Sequence, residues 1–473
     1  MNKKCQVFTP YDKVIELLDK VGYKENLYGK KVIENACGDG NILKVIVERY
    51  IQDCLKKKLD INMIKLGLEK DIYGAEIDKK HYENCIKNLS FIAQKYNIYD
   101  VSWKIINVDI LREKIKLKFD YVIGNPPYIT YRDLDIETRS FVRKNYSVCS
   151  DGKFDYCYAF IEESVNILRS NGKLAYLIPN SIFKNVFGEK LREFILPHLL
   201  KIYDYTVEKV FSVLTSSAII ILEKESKKSY IEYYDVVNKE CRYIDKCNLS
   251  GKWIFANINN YTPNINKKVK FGDYFTAAIT IATLLNKAFV LKNYKEIDKK
   301  IKINEYEVEK EITKVAVSPR SLNYNKKERI IFPYKYIYGK VVRYEESEFN
   351  KKYPGAIKYL DSFSNELKNR KADKRCKWYE YGRSQALGNI YQKKLLISTV
   401  VTKQIKVYEL SKNTIPYAGI YIIAKSNLSL DVAKNILESE DFFNYVQGIG
   451  INASGVSLRI TPTDINNYEF FLE

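Results

Sequence analysis

The 473-residue sequence predicts an α/β fold with a seven-stranded sheet in its first half and a separate α+β domain in its second half. Apolar, strand-like runs alternate with helical stretches up to about residue 225, and several of these runs end at a glycine or an acidic residue. An asparagine-rich, turn-prone stretch at 257–264 then separates this region from lysine-rich segments in which the alternation is lost.

The predicted strands are short apolar runs that end in turns or polar residues. They lie at 31–33, 72–75, 102–108, 120–123, 174–178, 202–207 and 217–222, with intervening helices at 41–58, 79–96 and 155–169. Such an order favours a mainly parallel sheet, because parallel neighbours need a crossover connection. We therefore predict three regions, listed as a sheet domain at 1–225, a connecting segment at 226–268 and a second domain at 269–473.

The composition bounds the function. Hydrophobic residues at 46% and aromatic residues at 14% exclude a disordered chain. The formal charge of +20 and the 40 tyrosines suit a surface that follows phosphates and stacks on bases. An AT-rich genome would also enrich lysine and tyrosine, so the charge supports a nucleic-acid partner without establishing one.

Residue counts exclude several kinds of site. The nine cysteines include no C-x-x-C pair, which predicts free thiols in a reducing cytoplasm. With His81 and His198 as the only histidines, neither a histidine-built metal site nor a Ser-His-Asp triad is expected, and we predict no metal. The absence of a signal core and of 18 consecutive apolar residues predicts a cytoplasmic protein without a membrane span.

The most informative motif is Asn125-Pro126-Pro127-Tyr128, directly after the apolar run 121–123. Proline fixes φ and lacks an N–H group, so this turn keeps its shape without hydrogen bonds. It therefore presents an amide side chain, a backbone carbonyl and an aromatic face at one place. These groups suit a planar amino group that is held by two acceptors while its ring is stacked; the alternative is an ordinary surface turn.

A glycine turn follows the first strand. It begins at Glu34 and runs through Ala36, Cys37, Gly38 and Gly40 before the first long helix. Glycines let a backbone approach a ligand at the carboxyl end of a strand, where open α/β sheets bind ligands. The third glycine of a dinucleotide fingerprint is missing, and an acidic residue ahead of the glycines suits a cationic amino-acid group better than a pyrophosphate.

The next two predicted strands also end in carboxylates. Glu76 follows the second strand and could accept hydrogen bonds from both hydroxyls of a ribose, with Ile77 packed on an adenine face. Asp109 follows the third strand, where an adenine amino group could donate to it. Acidic residues at strand ends are common helix N-caps, but three in register followed by the proline turn favour a ligand site.

As an ordered set, these residues resemble the γ-class, TaqI-like DNA adenine-N6 methyltransferases. The resemblance spans about residues 5–225 and is carried by motifs at 8–10, 34–40, 76–78, 109, 125–128, 152–160, 171–174, 178–181 and 191–194. It implies a Rossmann-like class I methyltransferase sheet that uses S-adenosylmethionine. Two departures are mild: Asn35 stands where the family often has proline, and Asn171 where it often has glycine.

The resemblance also implies roles for individual residues. In the family, the Thr-Pro element closes over the methionine end of the donor, which the glycine loop also holds. A carboxylate holds the ribose, and a pair of apolar side chains encloses the adenine. The implied cofactor-binding residues are Thr9, Pro10, Glu34, Ala36, Cys37, Gly38, Gly40, Glu76, Ile77, Asp109, Ile110 and Asn125.

The implied catalytic residues are Asn125, Pro126, Pro127 and Tyr128, with Tyr128 stacking on the target base. A second aromatic contact to that base is expected just before the motif at 191–194. Phe187 is the candidate, and Phe183 stays open because the spacing differs by about one residue. The sulfonium of the donor already activates its methyl group, so the reaction needs acceptors and alignment rather than a metal.

The second half resembles the target-recognition region of larger adenine methylases more loosely. Within 378–385, Arg383 and Gln385 are the preferred DNA contacts, because arginine pairs with guanine edges and glutamine with adenine edges. Trp378 is a further candidate for DNA contact, although core packing is the slightly favoured explanation for it.

The sequence thus predicts a monomeric, site-specific enzyme that methylates N6 of an adenine extruded from double-stranded DNA, in restriction–modification with a cognate endonuclease or in epigenetic marking. A methyltransferase for protein glutamine or ribosomal RNA is the alternative, since the same motif holds planar amides. A catalytically idle nucleic-acid-binding protein is disfavoured by the intact motif. A fused restriction–modification enzyme is disfavoured because no nuclease-like carboxylate–lysine cluster is found in the sequence.

Overall fold

The computed structural model of the protein describes residues 9–113, 115–205, 217–255, 268–454 and 457–471. The chain divides into two compact units, residues 1–256 and 257–473. The predicted asparagine-rich boundary at 257–264 lies outside the described residues. No helix in the described part of the chain is long and apolar enough to cross a lipid bilayer.

The first unit is built on one nine-stranded sheet whose strand order is β3-β2-β1-β4-β5-β7-β6-β8-β9. The first five strands are parallel, while β7 runs antiparallel to both of its neighbours. The strands are β1 Val32–Glu34, β2 Ile72–Ala75, β3 Lys104–Ile106, β4 Phe119–Gly124, β5 Leu168–Pro179, β6 Leu199–Asp204, β7 Ser217–Glu223, β8 Tyr230–Asp235 and β9 Glu240–Asp245.

Helices connect these strands and cover the sheet. They are α1 Tyr11–Val21, α2 Asn41–Lys56, α3 Ile61–Asp71, α4 Lys79–Gln94, α5 Ile136–Asn145, α6 Cys157–Ile167 and α7 Glu189–Ile195. Alternate residues of β5 enter two different cores: Leu174 and Tyr176 pack on one face of the sheet, and Ala175 and Leu177 on the other. A strand buried on both faces reads as a continuous apolar run, as the sequence does here.

The seven predicted strands are all present, so the α/β class is confirmed. The predicted count of seven for the whole sheet is wrong, because β8 and β9 extend it. Residues 226–255, which were assigned to the connecting segment, therefore form part of the first unit. Four of the six residues of β9, an edge strand, are exposed, and Ile244 is its only aliphatic residue, so it lacks the apolar run that revealed the others.

The second unit contains six small sheets joined by short helices. Their strands are β10 Lys268–Lys270, β11 Phe275–Ile279, β12 Val290–Leu291, β13 Lys295–Ile297, β14 Lys300–Ile303, β15 Tyr306–Glu309, β16 Thr313–Val317, β17 Glu328–Ile331, β18 Tyr334–Ile337, β19 Lys340–Arg343, β20 Lys394–Ile397, β21 Val400–Val401, β22 Tyr408–Leu410, β23 Ile415–Pro416, β24 Ile420–Ala424, β25 Ile451–Ser454, β26 Ser457–Arg459 and β27 Glu469–Phe471.

Nine helices complete the described part of this unit. They are α8 Phe271–Tyr274, α9 Asn286–Phe289, α10 Pro319–Asn323, α11 Glu346–Lys352, α12 Pro354–Asp361, α13 Ser364–Asn369, α14 Leu430–Glu438, α15 Glu440–Ile449 and α16 Pro462–Asn466. Most strand pairs are antiparallel, and the buried apolar residues form separate clusters rather than one continuous core. The unit is therefore α+β.

Candidate active site

The predicted site residues of the first unit collect at one edge of the sheet. Strands β1 to β5 are parallel, so their carboxyl ends lie at the same edge. Glu34 is the last residue of β1, while Glu76 and Asn125 directly follow β2 and β4. The crevice outside such an edge is where open α/β sheets bind ligands.

Glu34 is the most unusual group at this edge. Its side chain is only 3% exposed, and no hydrogen-bond partner for Oε2 is found among the residues that the structure describes. Burial, with smaller contributions from Cys85 and Glu76, raises the pKa of the Glu34 carboxyl well above its usual value. A Cβ built on Gly124 would lie 3.7 Å from Glu34 Cγ, so this carboxyl lies beside the start of the proline turn.

The glycine loop has the shape that the sequence predicts. Gly38 and Gly40 both have left-handed φ values, of 50° and 78°. A side chain on Gly40 would meet Cys85 Sγ at 2.7 Å, whereas a Cβ on Gly38 would have no heavy atom within 4 Å. The Cys37 amide donates to the Ala75 carbonyl at 3.0 Å, which joins the loop to the end of β2. Ala36 is half-buried against the core.

The carboxylate of Glu76 joins the two neighbouring loops. Its Oε2 accepts a hydrogen bond from the Gly38 amide at 2.8 Å, and its Oε1 accepts one from the Asp78 amide at 2.8 Å. Asn107 donates its side-chain amide to the backbone carbonyls of Glu76 and Ile77, at 2.8 and 3.1 Å. The Ile77 side chain is 46% exposed, so it has an apolar face available for a ligand.

The third strand end differs from the other two. Asp109 is half-buried and is paired with Arg112, whose Nε lies 3.2 Å from Asp109 Oδ2. Its Oδ1 accepts a hydrogen bond from the Leu111 amide at 3.1 Å, which is how an acidic residue caps a turn. Ile110 is buried in the core beneath this edge, at 2% exposure.

The Thr-Pro element contacts the proline turn. Asn125 Nδ2 donates to Thr9 Oγ1 at 3.1 Å, although the two residues are 116 positions apart. Thr9 is buried, and Pro10 with φ −58° leads into α1. This hydrogen bond orients the Asn125 amide with its nitrogen toward Thr9 and its oxygen as the remaining acceptor. Thr9 and Asn125, which the resemblance assigns to the cofactor site, are therefore in direct contact.

Tyr128 is fixed by its hydroxyl. The O–H donates to the Leu177 carbonyl of β5 at 2.8 Å, and the ring contacts both cores of the unit. Burial raises the pKa of the Tyr128 phenol well above its usual value, so the side chain stays neutral. A fixed, neutral ring at this edge can serve as a stacking surface.

The two phenylalanine candidates lie in different environments. Phe183 is 1% exposed and stacks on Trp253, with ring centroids 6.0 Å apart. Phe187 is 42% exposed, and a Cβ on Gly152 would lie 2.5 Å from its ring, so the ring covers that glycine. A ring buried in the core cannot reach a base without local unfolding, which favours Phe187.

Sequence reasoning missed the residue that holds this phenylalanine loop. Arg192 is 2% exposed, and its Nη1 donates to the carbonyls of Ile182 and Asn185 at 2.7 and 2.8 Å. Its Nε donates to the carbonyl of Gly251, in the segment that was predicted to be a connection. Arg192 entered the sequence prediction only as part of a motif. Helix α7 also contains Glu189, Lys190 and Glu193, so the sequence gives no signal that this basic residue is the buried one.

A buried polar network behind the glycine loop was also missed. Asn35 Nδ2 donates to Ser164 Oγ at 2.9 Å, Tyr176 donates its hydroxyl to Asn35 Oδ1, and Ser164 Oγ lies 2.7 Å from the Tyr176 hydroxyl. All three residues are buried. The asparagine that departs from the family pattern is thus fully engaged, and it ties β1 to α6 and β5.

The three residues of the second unit that are predicted to contact DNA lie in different environments. Trp378 packs on the core of the unit, and its Nε1 donates to Glu346 Oε1 at 3.3 Å. Arg383 forms an ion pair with Asp373. Gln385 is exposed. The Arg383 side chain is 43% exposed despite its ion pair, so Arg383 and Gln385 are both accessible to a ligand.

Comparison with known proteins identifies relatives of the first unit. Residues 18–211 match the family model of the Eco57I restriction-modification methylase. The type II restriction enzyme and methyltransferase RM.Eco57I of Escherichia coli is 27% identical over 326 residues, which cover 58% of this chain and 31% of that protein. The type II methyltransferase M.BstVI of Geobacillus stearothermophilus is 29% identical over 192 residues, covering 38% of this chain and 34% of that protein.

The chain thus spans about a third of the length of these relatives. The predicted resemblance to modification methyltransferases is confirmed. Among solved structures, the type IIL restriction-modification enzyme MmeI in complex with DNA has a similar fold. The superposition has a TM-score of 0.63 at 14% identity and covers 97% of this chain and 65% of MmeI. At this identity the likeness concerns the fold.

Proposed function

We propose that this chain, whose residues 18–211 fall within the Eco57I restriction-modification methylase family, transfers a methyl group from S-adenosylmethionine to N6 of an adenine extruded from double-stranded DNA. The observation that carries the proposal is the meeting of two different polar sites at one sheet edge. The buried Glu34 carboxyl suits a cationic group, and the Asn125–Tyr128 turn beside it suits a neutral amino group. The first unit would carry catalysis and the second would bind DNA.

The residues at the edge fit S-adenosylmethionine. A buried carboxyl oxygen without a described partner is costly, and the α-amino group of the methionine part would supply the missing donor to Glu34. That cation would also lower the pKa of Glu34 and stabilise its ionised form. Gly38 leaves open space where a side chain would stand, and the adjacent Thr9 would close over the same end of the donor.

The neighbouring loops fit the nucleoside part of the donor. Each Glu76 oxygen accepts one backbone amide and retains capacity for a second hydrogen bond, which the two ribose hydroxyls would use. The exposed Ile77 side chain would pack on one face of the adenine. Asp109, which is paired with Arg112, would accept a hydrogen bond from the adenine amino group.

The proline turn would hold the target amino group. The Asn125 oxygen and the Pro126 carbonyl would accept the two N6 hydrogens, which directs the nitrogen lone pair toward the methyl group. Bound S-adenosylmethionine would supply a methyl group that its sulfonium already activates. The contribution of the chain is then alignment and preorganised acceptors, since the turn is fixed by two prolines and by the bond from Asn125 to Thr9.

Aromatic rings would stabilise the extruded base. Extrusion costs a few kcal/mol, and stacking is worth about 1–3 kcal/mol per base. Tyr128 is fixed by its bond to the Leu177 carbonyl, so little entropy is lost when a base stacks on it. Phe187, exposed and held in a loop that Arg192 anchors, would provide the second contact.

The substitution Asn125→Ala tests the catalytic assignment. We expect turnover to fall by about 10²-fold or more, because one preorganised acceptor is lost. The Kd for S-adenosylmethionine should change only a few-fold. Transfer of a tritiated methyl group to plasmid DNA gives the rate, and calorimetry gives the Kd. Asn145→Ala, in an exposed asparagine at the end of α5, is the matched control and should behave like the wild type.

The substrate class is tested with the unmodified chain. Tritium transfer is compared on plasmid DNA from a methylation-deficient host and on ribosomes from the same cells. Single-molecule sequencing of the DNA then gives the methylated base and its surroundings. N6-methyladenine in a defined sequence supports the proposal, and transfer to ribosomes but not to DNA contradicts it.

A further inference from the structure

We propose that the hairpin of β18 and β19 in the second unit enters a groove of duplex DNA, and that Tyr338 at its tip inserts between neighbouring base pairs and stacks on them. The inference rests on the proposed function and adds to it a DNA-contacting element that the sequence did not reveal. It is carried by the backbone conformation of the tip, by the way the hairpin base is anchored, and by the charge around it.

The tip of the hairpin places a tyrosine, Tyr338, in the left-handed region of φ. Tyr338 and Gly339 form the two-residue loop, and both have left-handed φ values, of 49° and 77°. Such type I′ loops strongly favour Asn-Gly, because a residue with a bulky side chain such as tyrosine is disfavoured at positive φ. Tyr338 is nevertheless 100% exposed, so its ring contributes nothing to packing in the structure. An aromatic residue kept at a strained, fully exposed position points to a function outside the fold.

The base of the hairpin is firmly held. Tyr334 is buried, and its hydroxyl accepts a hydrogen bond from the Tyr381 amide at 2.9 Å. Tyr336 stacks on Tyr391 with ring centroids 4.0 Å apart, and its hydroxyl donates to the Leu387 carbonyl at 3.0 Å. The hairpin therefore projects from a fixed base, so an insertion of its tip would cost little conformational entropy.

The hairpin faces the segment that contains the predicted DNA contacts. A groove of about 370 Å³ lies between them, lined on one side by Gly339, Lys340 and Arg343 and on the other by Ser384, Leu387 and Gly388. Arg383 and Gln385, the residues expected to read bases, flank Ser384 in sequence. Two independent lines therefore converge on one surface of the second unit.

The chemistry of the hairpin fits nucleic acid. Residues 334–343 contain Lys335, Lys340 and Arg343 and no acidic residue. Lys335 is paired with Glu348, and Arg343 donates to the Arg375 carbonyl, so these two help to anchor the base. Lys340, exposed next to the tip, is placed to contact a phosphate. The grooves of B-DNA admit two-stranded ribbons, and a side chain that is inserted between base steps stacks on the bases that it separates.

The test uses Tyr338→Asn, Tyr338→Phe and the control Tyr324→Asn, which removes another exposed tyrosine of the same unit. Asparagine suits the positive φ, so it removes the ring without disturbing the loop, and thermal stability should be unchanged or higher. Binding is measured by fluorescence anisotropy with a 30-base-pair duplex carrying the methylated sequence, and kcat/KM by tritium transfer to plasmid DNA.

We expect Tyr338→Asn to weaken duplex binding and to lower kcat/KM by about tenfold, which is what the loss of one stacked ring costs. Tyr338→Phe and Tyr324→Asn should stay within about twofold of the wild type. Wild-type behaviour of Tyr338→Asn, or an equal loss in Tyr338→Phe, would overturn the hairpin proposal while leaving the methyltransferase assignment intact. If the wild type transfers no methyl group to DNA, both proposals fail together.

Discussion

Two buried ionisable side chains, one in each unit, differ in how their polar atoms are partnered. Glu34 in the first unit has an oxygen without a partner among the described residues. Lys394 in the second unit is 0% exposed, but its Nζ donates to the carbonyls of Gln392 and Ser411 at 2.9 and 2.8 Å. Burial shifts both pKa values toward the neutral form.

Under the proposed function, Glu34 would belong to a ligand site, whereas Lys394 belongs to the fold of its own unit. A buried polar group that its own chain satisfies contributes to the fold, and its loss leaves carbonyls unpaired. A buried polar group that its own chain does not satisfy reduces stability and is retained for a partner. The comparison thus predicts that substitutions at the first kind of group act on stability, and that those at the second kind act on binding.

Substitution of Arg370 is expected to have the largest effect of the changes that test this comparison. Arg370 Nη1 donates to the carbonyl of Thr283 at 2.7 Å, and its Nη2 donates to the carbonyls of Trp378, at 3.0 Å, and Glu380. Its Nε is buried and has no hydrogen-bond partner among the described residues, so Arg370 shares one feature with Glu34 and three with Lys394. Arg370→Met should lower the free energy of unfolding of the second unit by about 3 kcal/mol or more, because each buried carbonyl left unpaired costs about 1–3 kcal/mol. Hydrogen exchange followed by mass spectrometry gives that free energy.

The exposed Arg375 provides the control for this measurement. Arg375→Met should change the unfolding free energy by no more than about 0.5 kcal/mol. Neither substitution should alter the affinity of the first unit for S-adenosylmethionine. If Arg370→Met were as stable as Arg375→Met, satisfaction by backbone carbonyls would not mark a structural group, and the comparison would fail in the second unit.

The fold of the first unit could be predicted because its signal is local. Strands buried on both faces appear as apolar runs, and glycines or carboxylates mark where they end, as at Glu34 and Glu76. Helix α5 and strand β9 lack that signal, since each has mostly exposed polar residues. In the second unit the strands are short and antiparallel and pair over long sequence distances, so no local period reveals them.

The pH dependence of Lys394 sharpens the contrast with Glu34. Burial lowers the pKa of the Lys394 ammonium to about 8, whereas an unfolded chain titrates near 10.4. Between these values the unfolded state binds more protons, so this residue's contribution to stability rises with pH. The wild type should therefore gain on the order of 2–3 kcal/mol relative to Lys394→Met between pH 7 and pH 10.5.

Denaturant unfolding at several pH values measures this difference, and other titrating groups cancel because both proteins contain them. A pH-independent difference between wild type and Lys394→Met would mean that the ammonium stays charged in the folded state. In that case its three carbonyl neighbours, those of Gln392, Ser411 and Lys412, would outweigh the effect of burial.

The candidate site could be predicted from the sequence where a position requires a backbone conformation that only one residue type readily adopts. Prolines in Asn125–Tyr128 and glycines in the loop at 38–40 reveal themselves, because few other residues adopt those conformations. Arg192 and Asn35 were not recognised, since their roles depend on carbonyls and hydroxyls brought together from distant segments. Tyr338 was not recognised because a positive φ at a tyrosine is visible only in the structure.

Glu34→Gln is the mildest of these changes and the most direct test of the comparison. Glutamine keeps the shape but cannot hold a cation by charge, so the Kd for S-adenosylmethionine should weaken about 10- to 100-fold, the value of a hydrogen bond between charged groups. Without a ligand, the folded state of the wild type binds the extra proton above pH 4.5, so its stability falls relative to Glu34→Gln as pH rises.

Glu232 is the matched control, since it is also buried but is paired with Lys201 at 2.6 Å, and its pKa is lowered. Glu232→Gln should lose stability at neutral pH and keep cofactor affinity, the opposite of Glu34→Gln. Equal effects of the two substitutions on cofactor binding would show that the unpartnered oxygen does not mark the ligand site.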